Sequence, residues 1–256
     1  MRDYAGCRPS FTPEQGQLVT LRQRQYVVTE VARNASALGP IVPSIELTEQ
    51  TKDHDSQGNR MRYRADLTAG AIKLRESRAI ADLLLRETDA AGWRESIVEE
   101  NVLQARSPAS AKRLTTLIRG RLETMGPDLW VLVRDGSATV ATHAVLAAAI
   151  KHSALLGDFL DLVVREQFRL FNPKLSYAVW GDYLDDCRGR DADMPLWKES
   201  TRRRLRSSVF QTLAQAGFLA DAKSLKLQPV HVARQVIAYL QDHDEAYVLR
   251  CIQASP

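Results

Sequence analysis

From Met61 onward, large apolar residues recur every three or four positions, which is the spacing that lines one face of an α-helix. The pattern predicts helices around residues 72–84, 93–103, 108–125, 129–134, 139–171 and 199–216. The third begins at a Ser107-Pro108 start signal and stops at Gly126-Pro127. The fifth is long and apolar, and it is either the central core helix or a pair of helices broken near Gly157. This part of the chain is therefore predicted to be mainly α-helical.

The first 60 residues follow a different pattern, in which β-branched residues are frequent. The runs at 16–22 and 25–31 flank a short polar turn, which predicts a β-hairpin. Residues 33–59 are rich in Ser, Pro, Asp, Gln and Gly and poor in large apolar residues, as in a flexible linker. We therefore assign residues 1–60 to an N-terminal extension.

The predicted helix over 199–216 is amphipathic. Its apolar face consists of Leu205, Val209, Leu213 and Ala216. The remaining positions carry long donors and small hydroxyls, which suit phosphates and base edges. The candidate DNA-binding residues are Lys198, Arg202, Arg203, Arg204, Arg206, Ser207 and Gln211. Among them, Arg202 and Arg206 fall nearer the apolar edge, where their stems can lie along the core.

The segment after this helix has a different period. Gly217 ends the helical pattern, and residues 223–227 alternate like a β-strand. A helix, a turn and a short hairpin resemble a winged helix-turn-helix, so we predict a small β-hairpin, the wing, near the C-terminus. The helical part is divided into an N-terminal helical domain over 61–135 and a C-terminal helical, winged-helix-like domain over 136–256.

The helix that starts after Ser107 carries a second basic set. Its inward face consists of Leu114, Leu117, Ile118, Leu122 and Met125. Its outward and flanking positions give further DNA-binding candidates, namely Lys112, Arg113, Thr116 and Arg119. Arg121 falls on the apolar face, where an arginine needs an acidic or carbonyl partner, and we assign it a structural role.

The distribution of charge is more informative than its total. The formal net charge is +4, yet residues 106–121 and 197–206 together carry more positive charge than the whole chain, so the rest is net acidic. Basic stretches in an otherwise acidic protein are typical of localised phosphate contact. Two solvated helix faces without a ligand are the alternative.

The sequence contains no P-loop, GxSxG or HExxH motif and no cysteine cluster with metal-ligand spacing. Four titratable residues of the long apolar helix are interpreted as core or salt-bridge residues: His143, His152, Asp158 and Asp161. The acidic stretch 182–193 lacks the ligand alternation of an EF-hand and is predicted to be a surface loop. We predict no catalytic residue, cofactor, metal or small-molecule substrate.

Two features bear on the location of the protein. The longest uncharged stretch, residues 136–150, is shorter than the roughly 18 residues that a membrane span needs. The N-terminus lacks the apolar core of a signal peptide. We expect a cytoplasmic protein without membrane contact.

Four segments carry the resemblance to a known family: YRADLTAGAIKLRESRAIADLLL, ENVLQARSPASAKRLTTLIRGRL, KHSALLGDFLDLVV and WKESTRRRLRSSVFQTLAQAGFL. In this order they resemble the BrxA family of BREX phage-defence systems over about residues 61–256. The resemblance implies a helical, NusB-like protein with winged-helix-type elements that binds double-stranded DNA without known catalysis. It also implies other BREX proteins as partners, but it transfers no single functional residue. The earlier segment PEQGQLVTLRQRQYVVTEV departs from the family and resembles the start of phage-defence helicases of the SNF2 type.

The sequence thus predicts a non-enzymatic protein that binds double-stranded DNA with low sequence specificity and contributes to assembly or DNA engagement of a defence complex. Three alternatives stay open. The first is a scaffold subunit whose basic helices bind an acidic protein, and the second is an RNA-binding, NusB-like protein. The third is a nuclease that uses Asp158 or Asp161.

Overall fold

The computed structural model describes residues 61–67 and 71–255 in full, and the backbone of strands within the first 60 residues. The chain forms two compact units, Met1–Arg60 and Met61–Pro256. The second unit holds both helical domains that the sequence analysis separated at residue 135.

The described strands of the first unit are β1 (Leu18–Leu21), β2 (Arg24–Arg33) and β3 (Pro43–Glu49). They form an antiparallel sheet in the order β1-β2-β3, with a register shift between Val28 and Glu30. The paired β1 and β2 occupy the positions of the predicted hairpin. The stretch predicted to be a linker contains β3, whose Ile45 and Leu47 alternate with polar residues as in other strands.

The second unit is built from helices, two of which continue into π-helical segments. They are α1 (Leu74–Leu85), α2 (Ala90–Arg94) with a first π segment (Glu95–Glu99), α3 (Pro108–Leu122), α4 (Pro127–Asp135), α5 (Ala138–His152), α6 (Ala154–Asp158) with a second π segment (Phe159–Val164) leading into α7 (Arg165–Arg169), α8 (Tyr177–Arg190), α9 (Glu199–Gln215), α10 (Arg234–Asp242) and α11 (Ala246–Ile252). The mainly helical prediction is confirmed for the described residues of this unit.

The start of α3 follows from local chemistry. The Ser107 hydroxyl accepts a hydrogen bond from the backbone N–H of Ser110 at 3.2 Å, and Pro108 occupies the first helical position, where no donor is needed. The predicted start signal is therefore confirmed. Gly126-Pro127 separates α3 from α4, as the sequence indicates.

Helix α5 forms the centre of the second unit. Nearly every residue from Val140 to Ile150 is buried, and α3, α4 and α11 all pack against this helix. Because helices from both sides of residue 135 share this core, the second unit is one compact body.

The long apolar helix breaks at Ser153 rather than at Gly157, and the two parts are bent by 109°. Gly157 has another role, since a Cβ there would lie 2.3 Å from the hydroxyl of Tyr247. Among the described helices, none is by itself long and apolar enough to cross a membrane, and only the bent pair 138–152 and 154–169 reaches that length and apolarity together.

The acidic stretch 182–193 is mainly helical, so the predicted surface loop is wrong. Its residues up to Arg190 belong to α8, whose buried face consists of Trp180, Tyr183, Leu184 and Cys187. That spacing is helical, and burial of four large side chains outweighs the two glycines and the neighbouring carboxylates. The described residues contain no group of acidic, histidine or cysteine side chains arranged to hold a metal ion.

Arg121 is buried on the apolar side of α3, as predicted. Its guanidinium donates a hydrogen bond to the backbone carbonyl of Ala71 at 2.9 Å. Burial lowers the pKa of Arg121 to about 10, because the charged form loses its hydration, while the nearby Asp66 partly offsets this effect. The residue therefore ties α3 to the start of α1 and does not reach solvent.

His143 gives the fold a pH dependence. Its Nδ1 accepts a hydrogen bond from the backbone N–H of Ala233 at 3.0 Å, and burial lowers its pKa below the ordinary value of 6.5. Below pH 6.5, His143 is mainly protonated in the unfolded chain, whereas in the folded protein it stays mainly neutral until the pH reaches its lowered pKa. We therefore expect His143 to lower the free energy of unfolding by up to about 1.4 kcal/mol per pH unit as pH falls below 6.5.

Urea unfolding at several pH values checks this expectation. A His143→Asn variant keeps an acceptor but does not titrate, so its stability should change less with pH than that of the parent. His152, whose pKa burial also lowers, is present in both proteins and does not affect the difference. Identical pH profiles for the two proteins would show that His143 makes no such contribution.

Candidate nucleic-acid interface

An aromatic cluster fixes the position of α9. Phe159 of the second π segment lies against Trp180 and Tyr183 of α8 and against Phe210 of α9, with ring centroids 5.2, 5.1 and 6.1 Å away. All four rings are buried. The apolar face predicted for α9 is confirmed, because Leu205, Val209, Leu213 and Ala216 are buried as well. The opposite side of α9 consequently faces away from the core.

The outward side of α9 presents a basic, hydroxyl-bearing surface, which we name the α9 face. Its exposed members are Lys198, Arg203, Arg204, Ser207 and Gln211. Ser207 donates its hydroxyl hydrogen to the carbonyl of Arg203 at 2.9 Å, which leaves its oxygen able to accept. The described structure gives Arg203 and Arg204 no ion pair with an acidic side chain. Both guanidinium groups are therefore available to an external anion.

Arg202 and Arg206 flank the α9 face at its edges, as predicted. Arg202 lies 3.6 Å from a carboxylate oxygen of Asp185 on α8. The guanidinium of Arg206 stacks 4.5 Å from the ring centroid of Tyr177, which itself stacks on Phe210. These contacts orient both side chains along the surface. Tyr177 thus belongs to the site, although the sequence analysis did not select it.

A small set of extended segments lies next to the α8–α9 pair. Isolated antiparallel bridges join Lys174 to Lys226 and Leu219 to Leu227. A small β-hairpin, the wing, was predicted here, but the described residues 223–227 form no regular strand. Asp221 accepts hydrogen bonds from the backbone N–H groups of Lys223 and Ser224, both at 2.8 Å, and closes a tight turn.

The bridged segments add lysines that the sequence analysis did not include. Lys174, Lys223 and Lys226 are exposed, and the bridge places the backbones of Lys174 and Lys226 side by side. Hydrogen bonds from Ser224 and from the backbone of Lys223 lower the pKa of Asp221, which stays ionised and holds the turn. Only one bridge pair joins these two segments, so no pattern in the sequence indicates that Lys174 lies close to Lys226.

The basic set of α3 is arranged differently. Lys112, Arg113, Thr116 and Arg119 are all exposed, as predicted. However, Arg119 pairs with Glu123 at 2.6 Å, and its guanidinium stacks 4.6 Å from the ring centroid of Trp93. The hydroxyl of Thr116 donates to the carbonyl of Lys112 within the helix. Arg119 is therefore less available to a phosphate than the arginines of the α9 face.

The carboxylates considered for a nuclease are engaged in structural contacts. Asp158 accepts hydrogen bonds from Arg62, Tyr63 and Tyr247. Asp161 pairs with Arg165 at 3.0 Å and with Arg250 at 2.9 Å. Their predicted role as salt-bridge partners is confirmed.

The match to a known protein family lies in the second unit. The family model of BrxA matches residues 61–244. The chain belongs to the BrxA family. It is 54% identical over 194 residues to the BREX protein BrxA of Paramagnetospirillum magneticum, which covers 76% of this chain and 98% of that protein. The BREX protein BrxA of Escherichia coli O9:H4 is 34% identical over 176 residues, covering 69% and 83%.

A solved structure is also similar to this chain. The crystal structure of an uncharacterized protein from Magnetospirillum magneticum matches this BrxA-family chain with a TM-score of 0.72 and 52% sequence identity. The match covers 76% of this chain and 100% of that chain. The α9 face and the basic set of α3 both fall within the residues that the BrxA family model matches.

Proposed function

We propose that this BrxA-family chain is a non-enzymatic accessory protein of a BREX phage-defence system that binds double-stranded DNA in the cytoplasm. Binding is of low sequence specificity and helps the defence complex to assemble or to engage DNA. Its partners are duplex DNA and other BREX proteins. The observation that carries the proposal is the α9 face, where Arg203 and Arg204 are exposed and have no acidic partner among the described residues.

The chemistry of the α9 face favours a polyanion. Arginine forks donate to phosphate oxygens in pairs, and serine and glutamine side chains contact both phosphates and base edges. Lys198 precedes the first turn of α9, where the helix dipole also favours a negative ligand. The exposed members of the face are all basic or polar, so the proposed contact is mainly with the DNA backbone and depends strongly on salt.

The winged-helix and NusB likenesses belong to this proposal. In favour of a winged helix, Tyr177 and Trp180 of α8 contact Phe210 of α9, and isolated antiparallel bridges join the extended segments around 174, 219 and 226. The tight turn at Asp221 then corresponds to the tip of the wing, and it carries Lys223. A recognition helix with a basic wing contacts duplex DNA at two places.

The proposal of a non-enzymatic role is supported by the engaged carboxylates. Asp158 is buried and accepts three side-chain donors, so it offers no open position to a metal or a water. Asp161 is shared between two arginines. A metal-dependent nuclease needs carboxylates that bind metal at an accessible site.

A binding titration on labelled duplex DNA across a salt series tests the proposal. We expect the Arg203→Glu/Arg204→Glu variant to bind at least about tenfold more weakly than the parent. Its plot of log binding constant against log salt concentration should have a shallower slope, corresponding to about two fewer phosphate contacts. The reason is that reversal replaces two phosphate donors with two repelling carboxylates.

The matched control carries Arg75→Glu and Arg234→Glu, two exposed arginines on α1 and α10. It has the same change in net charge and should bind nearly as well as the parent. Equal loss in both variants would show that the change in net charge alone causes the weaker binding. No duplex binding by the parent at low salt would refute the proposal. Competition with a duplex RNA of the same sequence separates the DNA and RNA hypotheses.

A further inference from the structure

A groove lies between α3 and the segment formed by α2 and the first π segment, and we name it the α3 groove. It encloses about 590 Å³, a volume typical of sites that accept large side chains or small molecules. Its lining includes apolar residues from α2 and the first π segment and polar residues from α3. The candidate DNA-binding residues Lys112, Thr116 and Arg119 line it, whereas Arg113 does not.

The apolar part of the α3 groove is formed by Trp93, Ile97 and Val98. Ile97 is buried, and the other two side chains are half-buried, so apolar surface remains open to the groove. Covering apolar surface contributes about 25 cal/mol per Å². A phosphate backbone offers no matching apolar group, whereas a protein segment with a large apolar side chain does.

The charges at the rim are mixed, which also favours a protein ligand over DNA. Arg94 lies 3.9 Å from Glu99, and Arg119 pairs with Glu123, so carboxylates stand beside two of the three basic residues. These ion pairs offset the charges of Arg94 and Arg119, so the rim offers little net positive charge to a polyanion such as DNA. Lys112 is exposed and has no ion pair with any residue that the structure describes. It is the position where an incoming carboxylate finds a free positive charge.

We propose that the α3 groove is a docking site for an amphipathic, acidic segment of another protein of the defence complex. A large apolar side chain of the segment covers Trp93 and Val98, and a carboxylate pairs with Lys112. The inference goes beyond DNA binding, and it assigns Lys112 to a protein partner rather than to a phosphate. It does not depend on the α9 face.

Site-specific photo-crosslinking tests the proposal in cells that express the complete BREX operon with the full-length chain. A benzophenone amino acid is placed at Thr116 in the groove and, as the control, at the exposed Arg75 on α1. We expect a crosslink from position 116 to one BREX protein, at a peptide that contains a large apolar residue close to Asp or Glu. A crosslink mainly to DNA, or none while the complex still assembles, would overturn the proposal.

Charge reversal gives a second, quantitative measurement on the same crosslink. Lys112→Glu should reduce its yield at least about tenfold, since the ion pair with the segment becomes a repulsion. Arg113→Glu is the matched control, because it changes the same charge on the adjacent residue outside the groove lining, and it should have little effect. Equal loss in both variants would contradict a site in the groove.

The Arg203→Glu/Arg204→Glu variant separates this proposal from DNA binding. It should lose duplex binding and keep the crosslink at position 116. Loss of the crosslink in that variant would show that the contact is mediated by DNA. Circular dichroism of each purified variant confirms that helicity is unchanged before the yields are compared.

Discussion

Replacing Phe159 with alanine is expected to lower the free energy of unfolding by about 3–5 kcal/mol. The Phe159 ring is fully buried and touches three other aromatic rings from α8 and α9. Its removal leaves a cavity between the second π segment and both helices, and it also removes edge-to-face ring contacts worth about 0.5–1.5 kcal/mol each. Urea unfolding of the full-length chain, followed by far-ultraviolet circular dichroism, measures the loss.

The matched control for this prediction is Leu162→Ala on the same π segment. Leu162 is 46% exposed, so its truncation leaves no comparable cavity and should cost less than about 1 kcal/mol. The Phe159 variant should also bind duplex DNA more weakly near its unfolding midpoint, because the aromatic cluster positions α9. Similar unfolding curves for the two variants would contradict the role assigned to the cluster.

Local signals in the sequence were sufficient for several elements. The Ser107 cap, the apolar stripe of α9 and the inward position of Arg121 each follow from residues within one or two helical turns, and the structure confirms them. Capping and periodicity are short-range effects, so a single sequence contains the information that they need.

Two predictions failed where tertiary packing outweighs local preference. Residues 182–190 are helical because Tyr183 and Leu184 are buried against the core, even though carboxylates and glycines dominate the composition. The long apolar helix breaks at Ser153, and Gly157 is instead required by the close approach of the Tyr247 hydroxyl. Tyr247 is 90 positions away, so the reason for this glycine is not visible in its neighbourhood.

The candidate sites were predictable only in part. The sequence identifies which arginines of α9 point outward, but it does not show that Tyr177 supports Arg206 or that Lys174 lies beside Lys226. It also placed the outward residues of α3 in a DNA-binding set without showing Trp93 beneath Arg119. These contacts join separate elements, and only the folded chain distinguishes an open basic face from a groove with mixed charge.

The carboxylate of Asp158 anchors the first residues of the second unit to its last helix. It accepts hydrogen bonds from the Tyr63 hydroxyl at 2.7 Å and from the Tyr247 hydroxyl at 2.8 Å, and it pairs with Arg62 at 3.0 Å. Burial raises the pKa of both tyrosines, and the hydrogen bonds to Asp158 raise it further. Both hydroxyls therefore stay protonated and act as donors.

Asp158→Ala should lower the free energy of unfolding by about 2–5 kcal/mol, because it removes the acceptor of the buried Tyr63 hydroxyl and of the partly buried Tyr247 hydroxyl. Arg62→Ala should cost only about 1 kcal/mol or less, since its side chain is 52% exposed and water replaces the lost contact. Asp158→Asn, which keeps an acceptor oxygen, should fall between them. Urea unfolding of the three variants gives the ranking. If Arg62→Ala destabilised as much as Asp158→Ala, the ion pair rather than the tyrosine hydrogen bonds would hold this anchor.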